Sequence, residues 1–234
     1  MKSKADASTI KIEYLTHLLQ RNIFPKSGIV INEFSNLNCG ARADLAIQIN
    51  NEIHAIEIKS GRDSVRRLES QLNIYLQYFD RVTIVLDEVH FEHSKSLIAK
   101  TTAGLILYKD GKFVEKKRSK LSNIPNKTIH DTLLPANVKK RGIIIKNARA
   151  LLLDSIQKRY KSNITVTYRI AAQGFVSHKD LEDLNPNFSK RKDAEKRLEK
   201  NEQTWSALVQ SFKDQPSHLR SIDPAEHGWF GELA

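Results

Sequence analysis

Apolar and polar positions alternate through residues 43–59, with one interruption. In Ala43 to Asn50, Leu45, Ile47 and Ile49 share one parity, while Asp44, Ala46 and Gln48 share the other. In His54 to Lys59, Ile56 and Ile58 alternate with Glu57 and Lys59. A period of two is the signature of a strand whose two faces meet different surroundings. Asn50-Asn51-Glu52 suits a tight turn between the two segments. The pattern therefore predicts a hairpin with one apolar face and one face that collects Asp44, Glu57 and Lys59. Upstream, Gly28 to Phe34 carries the β-branched run Ile29, Val30, Ile31 and reads as a third strand. Before it, Ser8 or Thr9 caps a helix to about Gln20, with Ile12, Leu15 and Leu19 on one face. Pro25-Lys26-Ser27-Gly28 ends that helix.

Downstream, Val65, Leu68, Leu72, Tyr75, Leu76 and Phe79 fall at helical spacing and predict a helix over 64–79. The nearly continuous apolar run Arg81 to Asp87 fits a strand covered on both faces. Ala103 to Lys109 is another strand, and Asp110-Gly111 turns it back into Lys112 to Glu115. Ser122-Asn123-Ile124-Pro125-Asn126 and Pro135 suggest a boundary near 119–137. This gives a first domain over 1–120 and a mainly helical basic region over 137–234. Helices are expected over 146–161, after Ser177 with a capping-box-like Asp180, and over 189–212. The alternating segment Ile164 to Ile170 reads as a strand. The tail with Pro216, Pro224 and Trp229 receives no assignment.

Charge changes this picture. The chain has 234 residues, 38 Lys and Arg against 27 Asp and Glu, a formal net charge of +11 and a pI of about 9.6. A balance of this size favours a polyanionic partner, nucleic acid first. The excess is spread along the chain, with 19 basic against 14 acidic residues in 1–120 and 19 against 13 in 121–234. Any binding surface is thus assembled by folding, not carried on a tail. The single Cys39 excludes an internal disulfide and suits a reducing compartment. The first residues lack a signal-peptide core, and no apolar run approaches the ~20 residues of a membrane helix. These features point to a soluble, cytoplasmic protein without a membrane partner. His90 and His93 have no further ligand at zinc spacing, and no glycine-rich phosphate loop or nucleophile elbow occurs.

Asp44, Glu57 and Lys59 form a set suited to phosphodiester hydrolysis. Mg²⁺ takes hard oxygen ligands and keeps several waters, so one or two carboxylates suffice. Glu57 and Lys59, two apart on a strand, share a face, and the hairpin brings Asp44 to the same side. The carbonyl of Ile58 offers another oxygen. A nearby lysine can polarise water or stabilise charge on phosphorus. The same three side chains also suit a solvated strand face with an ordinary ion pair. A second Glu-x-Lys at Glu115-Lys116-Lys117 lies in a basic hairpin without β-branched flanks and is set aside. Gln71 and Tyr75, at i and i+4, lie on one face of the next helix.

The stretch Ala43 to Val85 resembles the core of the PD-(D/E)xK nuclease superfamily. Asp44 matches the motif's metal-binding Asp, and Glu57 with Lys59 matches its E-x-K pair. Gln71-x-x-x-Tyr75 resembles the Q-x-x-x-Y element of the branch that includes helicase-linked exonucleases. Ala43 replaces the motif's proline. The resemblance covers residues 8–110. It implies an α/β, restriction-endonuclease-like core of helix, three strands, helix and strand with a mixed sheet. It further implies Mg²⁺ or Mn²⁺ at Asp44 and Glu57, with Lys59 assisting the water and Gln71 and Tyr75 positioning substrate or Lys59. Glu33 is a candidate extra metal ligand.

Arg62, Arg66 and Arg67 flank the predicted helix start and are candidate phosphate contacts. Lys116-Lys117-Arg118, Lys139-Lys140-Arg141 and Lys190-Arg191-Lys192 are weaker ones. The expected function is Mg²⁺-dependent hydrolysis of DNA, RNA being second choice, in bacterial or phage DNA processing, repair or defence. Two rivals are a non-catalytic nucleic-acid-binding module on the same fold, and a partner-docking or self-associating surface built on Trp205, Leu208, Val209 and Phe212.

Overall fold

Six strands form a single mixed sheet in the order β1-β2-β3-β4-β5-β6, so every sheet neighbour is also a sequence neighbour. The strands are β1 (Ile29–Ser35), β2 (Arg42–Ile49), β3 (Glu52–Lys59), β4 (Arg81–Asp87), β5 (Gly104–Lys109) and β6 (Lys112–Lys117). β1, β2 and β3 pair antiparallel; β3, β4 and β5 run parallel; β5 and β6 close with a hairpin. This is a computed structural model, and it describes residues 5–25, 28–35, 42–135, 139 and 145–213. Both hairpin turns use left-handed backbone at their two central residues. Asn50 and Asn51 have φ of 49° and 64°, and Asp110 and Gly111 have 49° and 74°. That geometry matches the strand twist, and Asn, Asp and Gly tolerate it best. At Gly28 a Cβ would sit 2.3 Å from the carbonyl oxygen of Gln48, so the chain can enter β1 there only without a side chain.

Helices cover both faces, giving three layers. On one face lie α2 (Leu68–Tyr78), α3 (Glu88–Ala99), α4 (Asn126–Thr128, continuing as a π-turn to Leu133) and α5 (Ala148–Arg159). Leu68, Leu72, Tyr75, Phe79, Ile98, Leu152 and Ile156 pack there against Ile31, Ala46, Ile53, Ala55, Ile84 and Leu86. On the other face, α1 (Ala7–Gln20), α6 (Lys161–Gln173) and α7 (His178–Asp183) bury Ile10, Leu15, Val166, Ile170 and Leu181 against Val30, Leu45, Ile47, Ile56, Ile58 and Val85. The 43–59 hairpin is therefore apolar on both sides along most of its length. The one-sided pattern expected from sequence holds only at the Asp44, Glu57, Lys59 end.

Several local expectations change. The cap of α1 is Asp6, whose carboxylate accepts from the Thr9 amide, not Ser8 or Thr9. The alternating 164–170 segment is helix α6, and its buried residues Asn163, Val166, Thr167 and Ile170 follow helical spacing. Two of them finish the sheet. Thr167 Oγ1 accepts from the Val30 amide at 3.1 Å, and Asn163 Nδ2 donates to the Val30 carbonyl at 3.0 Å. The Asn32 amide donates to the Leu184 carbonyl. The outer edge of β1 is thus closed by α6 and the end of α7. The Ser177–Asp180 capping box is present as expected.

The chain divides into a compact body through Phe188 and a second unit from Ser189. The boundary expected near 119–137 falls inside the first body. Asp80 explains why. Its carboxylate receives both Nη atoms of Arg149 on α5, each at 2.7 Å, and the Ile53 amide at 2.8 Å, while its carbonyl accepts from Ser122. The second unit is described only along α8 (Pro186–Lys213), where Leu198 and Trp205 are about half exposed. The side chains of Leu208, Phe212 and Lys190-Arg191-Lys192 lie outside the described residues, as do Cys39, Lys140, Arg141, Pro216, Pro224 and Trp229.

Candidate active site

β2 and β3 stop pairing at Leu45 and Ile56, leaving Asp44 and residues 57–59 beyond the ladder. No strand pair includes Asp44 on its β1 side either, because Glu33, between Asn32 and Phe34, sits in left-handed backbone with φ of 56°. Such a conformation is strained for a residue with a Cβ and concentrates at functional sites. In the opening, Asp44 Oδ2 accepts the Ile58 amide at 2.8 Å. The Asp44 side chain thereby replaces the lost rung of the ladder and is held against β3.

Glu57 shares its sheet face with Ile53 and Ala55, so it points toward α2. It is 2% exposed. Its Oε1 accepts from Lys59 Nζ at 2.6 Å and Gln71 Nε2 at 2.8 Å, and its Oε2 lies 2.8 Å from the Tyr75 hydroxyl. Burial raises the Glu57 carboxyl above the usual range, the nearby Asp44 charge raises it further, and Lys59 only partly offsets both. Tyr75 is 1% exposed and held far above the usual phenol range by burial and by Glu57. Its hydroxyl also lies 2.6 Å from the Arg42 carbonyl. One hydroxyl hydrogen cannot serve two acceptors at full strength. The Tyr75 hydroxyl hydrogen is therefore shared between the Glu57 carboxylate and the Arg42 carbonyl.

The structure therefore brings Asp44, Glu57, Ile58, Lys59, Gln71 and Tyr75 to one end of the sheet. Among the described residues no group of three or more His, Cys, Asp or Glu is placed to hold a metal. The smaller donor set of Asp44, Glu57 and the Ile58 carbonyl still suits a hard cation that retains water. Two further features fit such an ion. Among the described residues Glu57 Oε2 has the Tyr75 hydroxyl as its one hydrogen-bond partner and keeps a lone pair. Gln71 Oε1, on the amide that holds Glu57, is a buried acceptor without a partner, the kind of group to which a metal-bound water donates.

The other candidates distribute differently. The Glu33 carboxylate is engaged by Lys11 and by Arg42 Nε at 3.0 Å. Arg62 lines a cavity of about 560 Å³ with Asp6, Glu13, Asp87, Glu88 and Asp110, an acidic setting that disfavours phosphate. Arg66 and Arg67 are exposed at the start of α2. The loop that follows Lys59 is fixed by Asp63, which accepts from the Ser60 amide and hydroxyl, and by His90, whose Nε2 lies 3.0 Å from the Ser60 carbonyl. Two residues were not foreseen. Arg42 is exposed beside Glu33 and carries the carbonyl that Tyr75 reaches. Lys11, on α1, is 4% exposed and lies 3.2 Å from Asp44 Oδ1. Its one visible signal is its place within the buried stripe of Ile10, Tyr14, Leu15 and Leu18.

Comparison with known proteins places these residues in a family. The model of the bacteriophage P4 protein cII family matches residues 1–185. The chain belongs to the bacteriophage P4 protein cII family. The cII match takes in the sheet, both helical layers and every candidate site residue, and it ends close to the end of the first compact body. Protein cII of Enterobacteria phage P4 is 41% identical over 76 residues, which is 32% of this chain and 28% of that relative. The aligned part thus spans little more than a quarter of the phage protein. A solved structure, the SPO1766 protein of unknown function from Silicibacter pomeroyi, aligns over 64% of this chain and 86% of its own. The two superpose with a TM-score of 0.38 and 16% identity. No helix among the described residues is long and apolar enough to cross a membrane.

Proposed function

We propose that this cII-family chain is a metal-dependent nuclease acting on DNA. The observation that carries the reading is the opened end of the β2–β3 ladder, where Asp44 and a buried Glu57 stand together with Lys59 2.6 Å from Glu57. An ordinary solvated ion pair needs no such burial, which costs several kcal/mol per ion. A buried carboxylate whose affinity for its proton is raised by a second carboxylate is a functional-site signature. Asp44, Glu57 and the Ile58 carbonyl would hold Mg²⁺, or Mn²⁺ in its place. Bound there, the cation would stabilise charge on a phosphodiester and acidify a water.

The chain's own groups supply the rest. Gln71 and Tyr75 fix the Glu57 carboxylate from α2. Lys59 places an ammonium beside Glu57, where it can hold a water or offset charge on phosphorus. Arg66, Arg67 and Arg42 supply exposed cations for flanking phosphates, and the net charge of +11 favours a polyanion. The preference for DNA over RNA, an intracellular place of work and a role in phage or bacterial DNA processing rest on the superfamily resemblance. One observation favours a non-catalytic nucleic-acid-binding role. Lys11 and Lys59 already neutralise Asp44 and Glu57, so the fold does not need a metal for charge balance.

Digestion of linear, circular and single-stranded DNA, and of RNA, with Mg²⁺, Mn²⁺ or EDTA separates these readings. The wild type should cut DNA with either metal and not with EDTA. Asp44→Ala and Lys59→Ala should lose turnover while keeping the circular-dichroism spectrum and DNA retardation. Unchanged cleavage by both variants removes the assignment, and DNA retardation without cleavage under any condition favours the binding module.

A further inference from the structure

Lys11 is the least expected charge in the protein. It emerges from the apolar stripe of α1, on the opposite face of the sheet from α2, and meets Asp44 where the β1–β2 pairing is interrupted. An ammonium has three hydrogens. Here it hydrogen-bonds Asn32 Oδ1 at 3.1 Å and Glu33 Oε1, and it forms an ion pair with Asp44 Oδ1 at 3.2 Å. Those oxygens, two from carboxylates and one from an amide, are also the hard donors that a divalent cation takes.

We propose that Lys11 fills the place of a second divalent cation, so that the site takes a single metal ion. The proposal rests on the nuclease reading above. Two-metal sites place their ions about 3.5–4 Å apart and need a group that touches both. Asp44 is the one residue here with an oxygen toward each side. Oδ2 faces β3 and Ile58, where the metal of the proposed function would bind. Oδ1 faces Lys11. A dication on that side would meet a fixed ammonium in a poorly solvated opening, where like charges repel strongly. It would also find Glu33 and Asn32 already coordinated. The positive φ of Glu33 fits this role, because it carries the Glu33 side chain to the Lys11 side. Lys11 thereby gives Asp44 a constant cationic partner that does not depend on metal supply. It also accounts for Glu33, the acid expected to be a metal ligand, being paired to a lysine.

The test is the number of Mn²⁺ ions bound by the full chain, from calorimetry and from the spin-coupled signal of a manganese pair. The wild type should bind one ion without spin coupling at this site. Lys11→Met, an unbranched side chain one atom shorter that removes the charge, should bind two with pair coupling. Lys11→Arg should remain at one. Two coupled ions in the wild type or in Lys11→Arg would overturn the proposal and leave the nuclease reading intact. So would a folded Lys11→Met that still binds one. Absence of any Mn²⁺ in the wild type would overturn both. The wild-type and Lys11→Arg counts keep the proposal open to refutation even if Lys11→Met does not fold.

Discussion

Cutting the link between Arg149 and Asp80 tests whether residues beyond 120 belong to the core. Asp80 is 3% exposed and receives two guanidinium hydrogen bonds of 2.7 Å and the Ile53 amide. Arg149→Met removes the guanidinium and leaves the carboxylate buried with one amide donor. Removing one partner of a buried pair costs about 3–5 kcal/mol. The Arg149 side chain is 28% exposed, so water offsets part of the loss and the low end, about 3 kcal/mol, is expected. In a body of this size each kcal/mol lowers Tm by roughly 2–4 °C, giving roughly 6–12 °C in total. Urea unfolding followed by far-ultraviolet circular dichroism, on the wild type, Arg149→Met, Asp80→Asn and the double variant, yields the coupling energy directly. The first body should unfold in one transition that moves as a whole. Losses below about 1 kcal/mol, additive single effects, or a separate transition for the helices after residue 120 would refute the reasoning.

Three further outcomes follow from the same geometry. In EDTA, Glu57→Gln should be more stable than the wild type near neutral pH. The raised carboxyl of Glu57 contributes stability below the ordinary glutamate range and loses it as pH rises through its elevated folded value, so the gap in Tm should widen as pH rises above the ordinary glutamate range; a gap that narrows with pH contradicts this. Tyr75→Phe removes the partner of both Glu57 and the Arg42 carbonyl and should cost about 1–3 kcal/mol in chemical denaturation while sharply slowing cleavage; unchanged stability would show that the hydroxyl is not a structural partner. Asn163→Ala leaves the Val30 carbonyl without its buried side-chain donor and removes one of the two donors to the Leu184 carbonyl, and it should speed amide hydrogen exchange in β1 before β4; equal exchange in both strands would contradict the closure of that edge by α6.

The legibility of this chain divides along physical lines. α1 and α2 were visible from helical apolar spacing, and β1 to β4 from short β-branched or alternating runs bounded by turn residues. The Asn50-Asn51 and Asp110-Gly111 turns were visible because few residues accept left-handed backbone. Helix α3 was not anticipated, since only Ser94 and Ile98 are buried along it and its pattern is weak. The segment 164–170 misled because Ile164, Val166, Tyr168 and Ile170 alternate with polar residues, while Asn163 and Thr167 are polar for a tertiary reason, the edge of β1. The domain boundary misled because a Pro- and Asn-rich segment can cross a compact body, and nothing local announces that Arg149 pairs with Asp80. At the candidate site, strand parity brought out Asp44, Glu57 and Lys59, while Gln71 and Tyr75 share a helix face and owe their place at the site to the superfamily resemblance. Lys11 escaped because a lysine in a helix reads as solvated, and only the opening at Asp44 draws it inward.

The most direct test of the central claim is a crystal grown or soaked with Mn²⁺ and measured at the manganese absorption edge. The account predicts an anomalous peak at about 2.0–2.2 Å from oxygens of Asp44, Glu57 and the Ile58 carbonyl. Clear density for all three residues with no anomalous peak between them, or manganese bound only elsewhere, would contradict it.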